Sequence, residues 1–234
     1  MDNRSSYSEL NAQCVLRTLD ALHQRIEERL PGSGILGLCG ELRRISSTIQ
    51  AQLEWIRAPI WPLRISTALV LLLMGGLIAA TISNVEVHDD TFNLTNFVDV
   101  VQNVIQDLVY LAIAVFFLVR IEAMIKRRRV LRALHQLRSI AHVIDMHQLT
   151  KDPDRLAASR NDTVSSPKLT LTPFLLRRYL DYCSEMLSLT GKIAALHLRD
   201  FDDSAIVAAV TEIEDLTTGL SRKIWQKITG LRNA

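Results

Sequence analysis

The sequence predicts an all-α integral membrane protein, in which a two-helix transmembrane hairpin is joined to a cytoplasmic helical bundle. Three observations predict this fold class. The 55 residues between Arg64 and Arg120 contain no Lys or Arg, although the chain has 27 basic residues. Two apolar segments lie within that stretch, one near each end. Outside it Gly and Pro are scarce, and apolar residues recur at the spacing of an amphipathic helix.

Residues 1–58 are predicted to form an antiparallel helical hairpin in the cytoplasm. Ser6 and Glu9 resemble a capping box that opens the first helix, and Pro31 and Gly34 indicate the turn. Each helix carries an apolar stripe that predicts a buried face. The stripes consist of Val15, Leu19, Leu22, Ile26 and Leu30 in the first helix, and Leu38, Leu42, Ile45, Ile49, Leu53 and Ile56 in the second.

Residues 59–126 are predicted to form the transmembrane hairpin, with spans at about 61–82 and 104–125 and an outer loop at 83–103. The first span contains 18 uncharged residues at 65–82, the lower limit for a hydrocarbon core about 30 Å thick. The strictly apolar part of the second span is only 108–119, so this span must carry polar residues at its ends. The loop is acidic and free of Lys and Arg, which predicts that it faces the exterior.

Basic and aromatic residues flank the two spans and set the predicted orientation. Their position predicts a multi-pass protein of the plasma (inner) membrane with both termini in the cytoplasm, because Lys and Arg concentrate on the inner side. The predicted interface anchors are Trp61 and Arg64 before the first span, and Arg120, Lys126, Arg127, Arg128 and Arg129 at the end of the second.

The rest of the chain is predicted to complete the bundle. The second span continues as a cytoplasmic helix over 127–149, a polar linker follows at 150–172, and a second helical hairpin occupies 173–234, with Thr172 and Asp203 as the N-caps of its two helices. Residues 127–149 carry a stripe with the 4, 3, 4, 3 spacing of a coiled coil, which favours packing against a partner helix and hence a homo-oligomer. This stripe consists of Val130, Leu134, Leu137, Ala141 and Ile144.

The three cysteines all lie outside the predicted hairpin. Their spacing matches no metal site and no CxxC motif. Cys14, Cys39 and Cys183 are therefore predicted to be small buried hydrophobes in a reducing compartment.

A polar stripe enters the second span and supplies the candidate functional residues. Asp99, Asn103, Gln106 and Tyr110 are spaced 4, 3 and 4, so they share one helical face, and Asp107 flanks them. Polar groups at membrane depth must face a partner or water, so this stripe could line a pore that favours cations. The alternative is that the helix begins outside the membrane and its first turns are simply hydrated.

Two other patterns could carry chemistry. His142 and Asp145 share a helix face as weak metal ligands, although a site would need further ligands from another helix, so no metal is predicted. The sequence HQLRS at 135–139 resembles the phosphoacceptor box of sensor histidine kinases, which implies a phosphorylated His135. Gln136 replaces the acidic residue of that box, Ile140 replaces its Pro, and no Gly-rich nucleotide-binding motif follows. The sequence therefore predicts neither an enzyme nor a cofactor.

The predicted function is that of a small homo-oligomeric ion channel or pore-type effector, with the cytoplasmic helices controlling assembly or gating. In architecture alone the chain resembles the two-helix transmembrane effectors of prokaryotic conflict systems. The alternative is a membrane-anchored scaffold whose bundle binds a cytoplasmic protein. The lipid bilayer is the predicted partner in both cases, and a net charge of +2 gives no indication of nucleic-acid binding.

Overall fold

The computed structural model describes residues 10–58, 60–83, 94–152, 164–165, 170–199 and 203–233. For 50, 52–57, 81–83, 94–97, 99–100 and 231–233 it describes the backbone alone. The described residues are helical and contain no strand. Their elements are α1 (Ala12–Arg29), α2 (Gly34–Arg57), α3 (Trp61–Ser83), α4 (Leu94–Leu149), α5 (Pro173–Ala195), a short 3₁₀ helix (Leu196–Arg199) and α6 (Ser204–Asn233).

The chain divides into two compact units. The first consists of Met1–Arg57 together with Arg129–Ala234, and the second of Ala58–Arg128. Helix α4 contributes its last third to the first unit and the remainder to the second.

The first unit is a helical bundle with one apolar core. The predicted stripe of α1 is buried, as is the part of the α2 stripe whose side chains are described, from Leu38 to Ile49. The heptad stripe of α4 is also buried, and it joins the same core as α1, α2, α5 and α6. The partner helices of this stripe therefore belong to the same chain, and the stripe is not available as a seam between subunits.

Short polar side chains cap three of the described helices at their N-termini. Asn11 accepts hydrogen bonds from the backbone N–H groups of Gln13 and Cys14, so it caps α1, whereas the predicted box of Ser6 and Glu9 lies outside the described residues. Thr172 and Asp203 cap α5 and α6, which confirms both predictions. These contacts account for where the three helices begin.

The second unit contains α3 and the first part of α4. Both helices are long and apolar enough to cross a membrane, and no residue of their most apolar windows is buried. Large apolar side chains consequently lie on the surface of this unit. They include Ile65, Leu69, Leu72, Leu73, Leu77, Ile105, Leu108, Phe116, Phe117 and Val119.

Candidate functional site

The predicted polar stripe lies on an exposed face of α4. Asn103, Gln106 and Tyr110 are all exposed, and Tyr110 retains 56% of its accessible surface. The side-chain amide of Gln106 donates a hydrogen bond to the Tyr110 hydroxyl over 3.0 Å, which joins two successive turns of the stripe. Asp99 occupies the same line of the helix one turn earlier, and its side chain is outside the described set. The stripe is therefore continuous and accessible along its described part.

Asp107 occupies a different face of α4. It is half-buried, and it belongs to a row of half-buried residues with the 3, 4 spacing of a packed helix. A similar row of half-buried residues runs along α3, and its members are also three or four residues apart. The two rows consist of Val104, Asp107, Leu111, Ala114, Leu118, Ile121 and Ile125 in α4, and Leu63, Thr67, Val70, Met74 and Ile78 in α3.

Charged residues cluster where the apolar part of α4 ends. Glu122 and Lys126 form an ion pair of 2.9 Å, with only 22% and 17% of their side chains exposed. The Ile60 backbone and Arg64 also lie close to the Glu122 carboxylate, so the start of α3 lies beside this part of α4. The Arg120 guanidinium stacks over the Phe116 ring at 5.3 Å.

The other predicted interface anchors are on the surface. Trp61 is exposed at the start of α3, and Arg127, Arg128 and Arg129 are exposed on α4. An amphipathic indole and flexible basic side chains in such positions are typical of a membrane–water boundary.

The weak metal candidates do not converge. His142 is exposed, whereas Asp145 accepts a 2.6 Å hydrogen bond from the side-chain amide of Gln148. Among the described residues no group of three or more His, Cys, Asp or Glu side chains is placed to hold a metal ion. His135 is exposed on the surface of α4.

Sequence reasoning missed a polar contact that holds the last turn of α4. The Lys227 ammonium donates to the Gln148 side-chain oxygen over 2.6 Å and to the Gln148 backbone oxygen over 3.0 Å. The Tyr179 hydroxyl donates to the backbone oxygen of His147 over 3.5 Å. The final carbonyls of a helix have no partner within it, so α5 and α6 supply partners that the helix lacks. Burial lowers the pKa of Lys227, and Asp152 and Asp145 oppose that effect.

The cysteines divide into two groups. Cys39 and Cys183 are buried, and burial raises their pKa to about 11 and about 12 respectively, with nearby Arg43 and Lys227 opposing the shifts. Cys14 is exposed and its sulfur accepts a hydrogen bond from Arg17 over 3.3 Å, so its prediction as a buried residue was wrong. The residue after Cys14, a valine, belongs to the buried face of α1, and the cysteine itself does not.

Replacing Lys227 by Met is expected to lower the free energy of unfolding by about 1–3 kcal/mol, because the two Gln148 oxygens would lose a charged donor in a buried position. Lys223→Met is the matched control. Lys223 is exposed, and it lines a groove of about 430 Å³ together with Lys227. It should change the stability by less than about 0.5 kcal/mol. Chemical denaturation of both full-length variants in detergent, followed by circular dichroism, measures the difference. Equal stabilities would show that the capping contact contributes nothing.

No protein-family model, no curated protein and no solved structure matches the chain. Its function is therefore inferred from its own residues. Of these, the exposed polar stripe that enters the apolar part of α4 is the feature that most needs a functional explanation.

Proposed function

We propose that α3 and α4 cross the inner membrane as an antiparallel hairpin, and that several copies of the chain assemble into an ion channel lined by the polar stripe of α4. The exposed stripe formed by Asn103, Gln106 and Tyr110 carries this proposal. The bundle of the first unit lies in the cytoplasm in this arrangement.

The division of the chain into units supports a hairpin. The first unit combines residues before 58 with residues after 128 in one core. Both parts must therefore lie on the same side of any membrane. A membrane segment between them would cross an even number of times, and the intervening part of the chain contains two helices of suitable length and composition.

The packing within the second unit supports an antiparallel pair. The start of α3 lies beside Glu122, near the end of the apolar part of α4. Half-buried residues recur three or four positions apart along both α3 and α4, so we assign these two rows to the contact between the helices. Asp107 then faces this contact and not the stripe.

Helix geometry gives the depth of the stripe. Glu122 and Ile60 mark the cytoplasmic boundary in this arrangement, since both lie where the charged residues begin. At 1.5 Å per residue, Tyr110 lies about 18 Å from the level of Glu122, Gln106 about 24 Å and Asn103 about 29 Å. A hydrocarbon core is about 30 Å thick, so Tyr110 and Gln106 lie within it and Asn103 lies at its outer edge.

Polar side chains at that depth favour an oligomer. Lipid cannot satisfy an amide or a hydroxyl, and exposed polar residues in a membrane must face water or protein. The side chains of α3 that are described do not cover the stripe, which stays exposed in the single chain. A ring of copies would place it around a hydrated axis, with Asp99 at the outer mouth attracting cations. Gly75 and Gly76 of α3 have open space beside them and would allow close approach of a second copy.

One observation favours the alternative function of a scaffold. Trp225 of α6 is 65% exposed and borders a groove of about 320 Å³ on the bundle, beside Asp181 and Glu185. An exposed indole next to a shallow polar groove suits the binding of a cytoplasmic protein. This surface requires no transport activity.

A matched pair of charge substitutions tests the channel. The full-length protein in planar bilayers should pass cations in preference to anions, and Asp99→Asn should reduce that preference roughly severalfold because it removes a ring of carboxylates. Asp107→Asn makes the same chemical change on the face assigned to α3 and should leave selectivity close to that of the original protein. Selectivity is read from reversal potentials in a salt gradient. A preference that responds to Asp107 and not to Asp99 would contradict the assignment of the two faces.

A further inference from the structure

We propose that Ile113 and Phe117 form a hydrophobic gate in the cytoplasmic half of the pathway. This inference rests on the proposed channel function and identifies the residues that close it. The line of the polar stripe continues along α4 beyond Tyr110 with spacings of 3 and 4, and the next two positions on it are Ile113 and Phe117. Both are exposed, with 48% and 60% of their surfaces accessible.

The character of this face changes abruptly below Tyr110. Between Asn103 and Tyr110 each residue on the line has a polar group, whereas Ile113 and Phe117 have none. Ile113 lies about 14 Å and Phe117 about 8 Å from the level of Glu122, which places both within the hydrocarbon core. A ring of copies would therefore enclose a polar outer half and an apolar inner half of one pathway.

Phe117 has an aromatic residue immediately before it and a cation one turn after it. The Phe116 and Phe117 rings meet edge to face, with centroids 6.2 Å apart, an arrangement that stabilises aromatic pairs. Arg120 is the next position on the line, three residues after Phe117, and its guanidinium stacks over the Phe116 ring. Between Tyr110 and Arg120 the line carries only Ile113 and Phe117, so no polar or charged side chain on that segment favours water.

An apolar ring of this kind closes a channel by excluding water from a narrow segment. Ions cannot shed their hydration to pass such a segment, so conduction requires the α4 helices to separate or rotate. The polar stripe above the ring stays hydrated in both states. The gate therefore predicts that a single polar substitution, with no other change, opens the pathway.

Phe117→Asn tests the gate, and Phe116→Asn is its matched control because it makes the same change at an exposed neighbouring residue off the line. Phe117→Asn should raise the basal current through bilayers by roughly tenfold or more, as expected when a dewetted segment is hydrated. Phe116→Asn should leave it near that of the original protein. Ile113→Asn provides an independent second variant, and Phe117→Leu should keep the pathway closed. Size-exclusion chromatography in detergent verifies that each variant assembles as the original protein does.

The outcomes separate the gate from the channel. If the original protein conducts and neither Phe117→Asn nor Ile113→Asn exceeds Phe116→Asn, the gate is overturned and the channel stands. If the original protein and all assembled variants are silent, the channel itself is overturned. If the original protein is quiet and both Phe117→Asn and Ile113→Asn conduct, both proposals gain support. The comparison of Asp99→Asn with Asp107→Asn can then be repeated in the conducting Phe117→Asn protein.

Discussion

Leu137→Ala is expected to lower the free energy of unfolding by about 3 kcal/mol, within the roughly 2–5 kcal/mol that such substitutions cost in well-packed cores. Leu137 is fully buried at the centre of the α4 stripe and belongs to the core shared by all parts of the bundle. Removing its isobutyl group would leave a cavity that rigid helices fill only in part. The expected fall in Tm is roughly 6–12 °C, measured by circular dichroism of the full-length protein in detergent.

Leu149→Ala is the matched control for this substitution. It deletes the same atoms from the same helix, but Leu149 is 60% exposed at the last residue of α4. Its effect should lie within about 0.5 kcal/mol of zero. If both variants lose the same stability, the stripe on α4 is not part of the core. That result would restore the possibility that the stripe packs against another subunit.

The second large effect is a loss of stability in alkaline solution. Cys39 and Cys183 have an ordinary pKa of 9.0 when exposed, and burial raises it to about 11 and about 12 in the folded protein. Above pH 9 the unfolded chain releases these protons while the folded chain keeps them, so stability falls as pH rises. Each thiol lowers the free energy of unfolding by about 1.4 kcal/mol per pH unit above pH 9, which amounts to about 2 kcal/mol at about pH 10.5. Burial also raises the pKa of Tyr179 from its ordinary value of 10.0, which adds to the fall at still higher pH.

Lys227 changes the pH dependence of stability in the direction opposite to that of the two thiols, so it provides an independent test of the assignment. Its lowered pKa means that the folded chain gives up this proton before the unfolded chain does, so its contribution to stability rises with pH. Cys39→Ala and Cys183→Ala should each flatten the decline between about pH 9 and about pH 10.5, and Lys227→Met should steepen it. Cys14→Ala, which removes an exposed thiol, is the control. Denaturation curves collected at intervals across this range measure the slopes, and identical slopes in all four variants would contradict the assignment.

The all-helical fold and the buried faces of single helices could be predicted from the sequence. Apolar spacing is a local property, so it identified Leu19 in α1 and Leu137 in α4 as core residues. It also identified two helices that are apolar enough to cross a membrane. Caps are equally local, which is why Thr172 and Asp203 were found.

Contacts between helices could not be predicted in the same way. Lys227 and Gln148 are 79 residues apart, and nothing in their spacing indicates that one caps the helix of the other. The heptad stripe of α4 predicted a partner helix, but periodicity does not distinguish a partner in the same chain from one in another subunit. Asp107 and Gln106 are adjacent in the polar segment, and only the packing of α4 shows that one is half-buried and the other exposed. Cys14 was misplaced because it adjoins the buried face without belonging to it.

The division of the bundle core between two distant parts of the chain has a consequence for biosynthesis. Helices α1 and α2 leave the ribosome long before the α4 stripe and the α5–α6 hairpin that complete their core. At about 5–20 residues per second, the roughly 130 residues from the end of α2 to the middle of α5 take on the order of 7–26 s to synthesise. During that interval the apolar surface that α1 and α2 present to the later helices has no partner from its own chain. The nascent protein should therefore depend on a chaperone at this stage, and slow translation between the two parts should increase its aggregation.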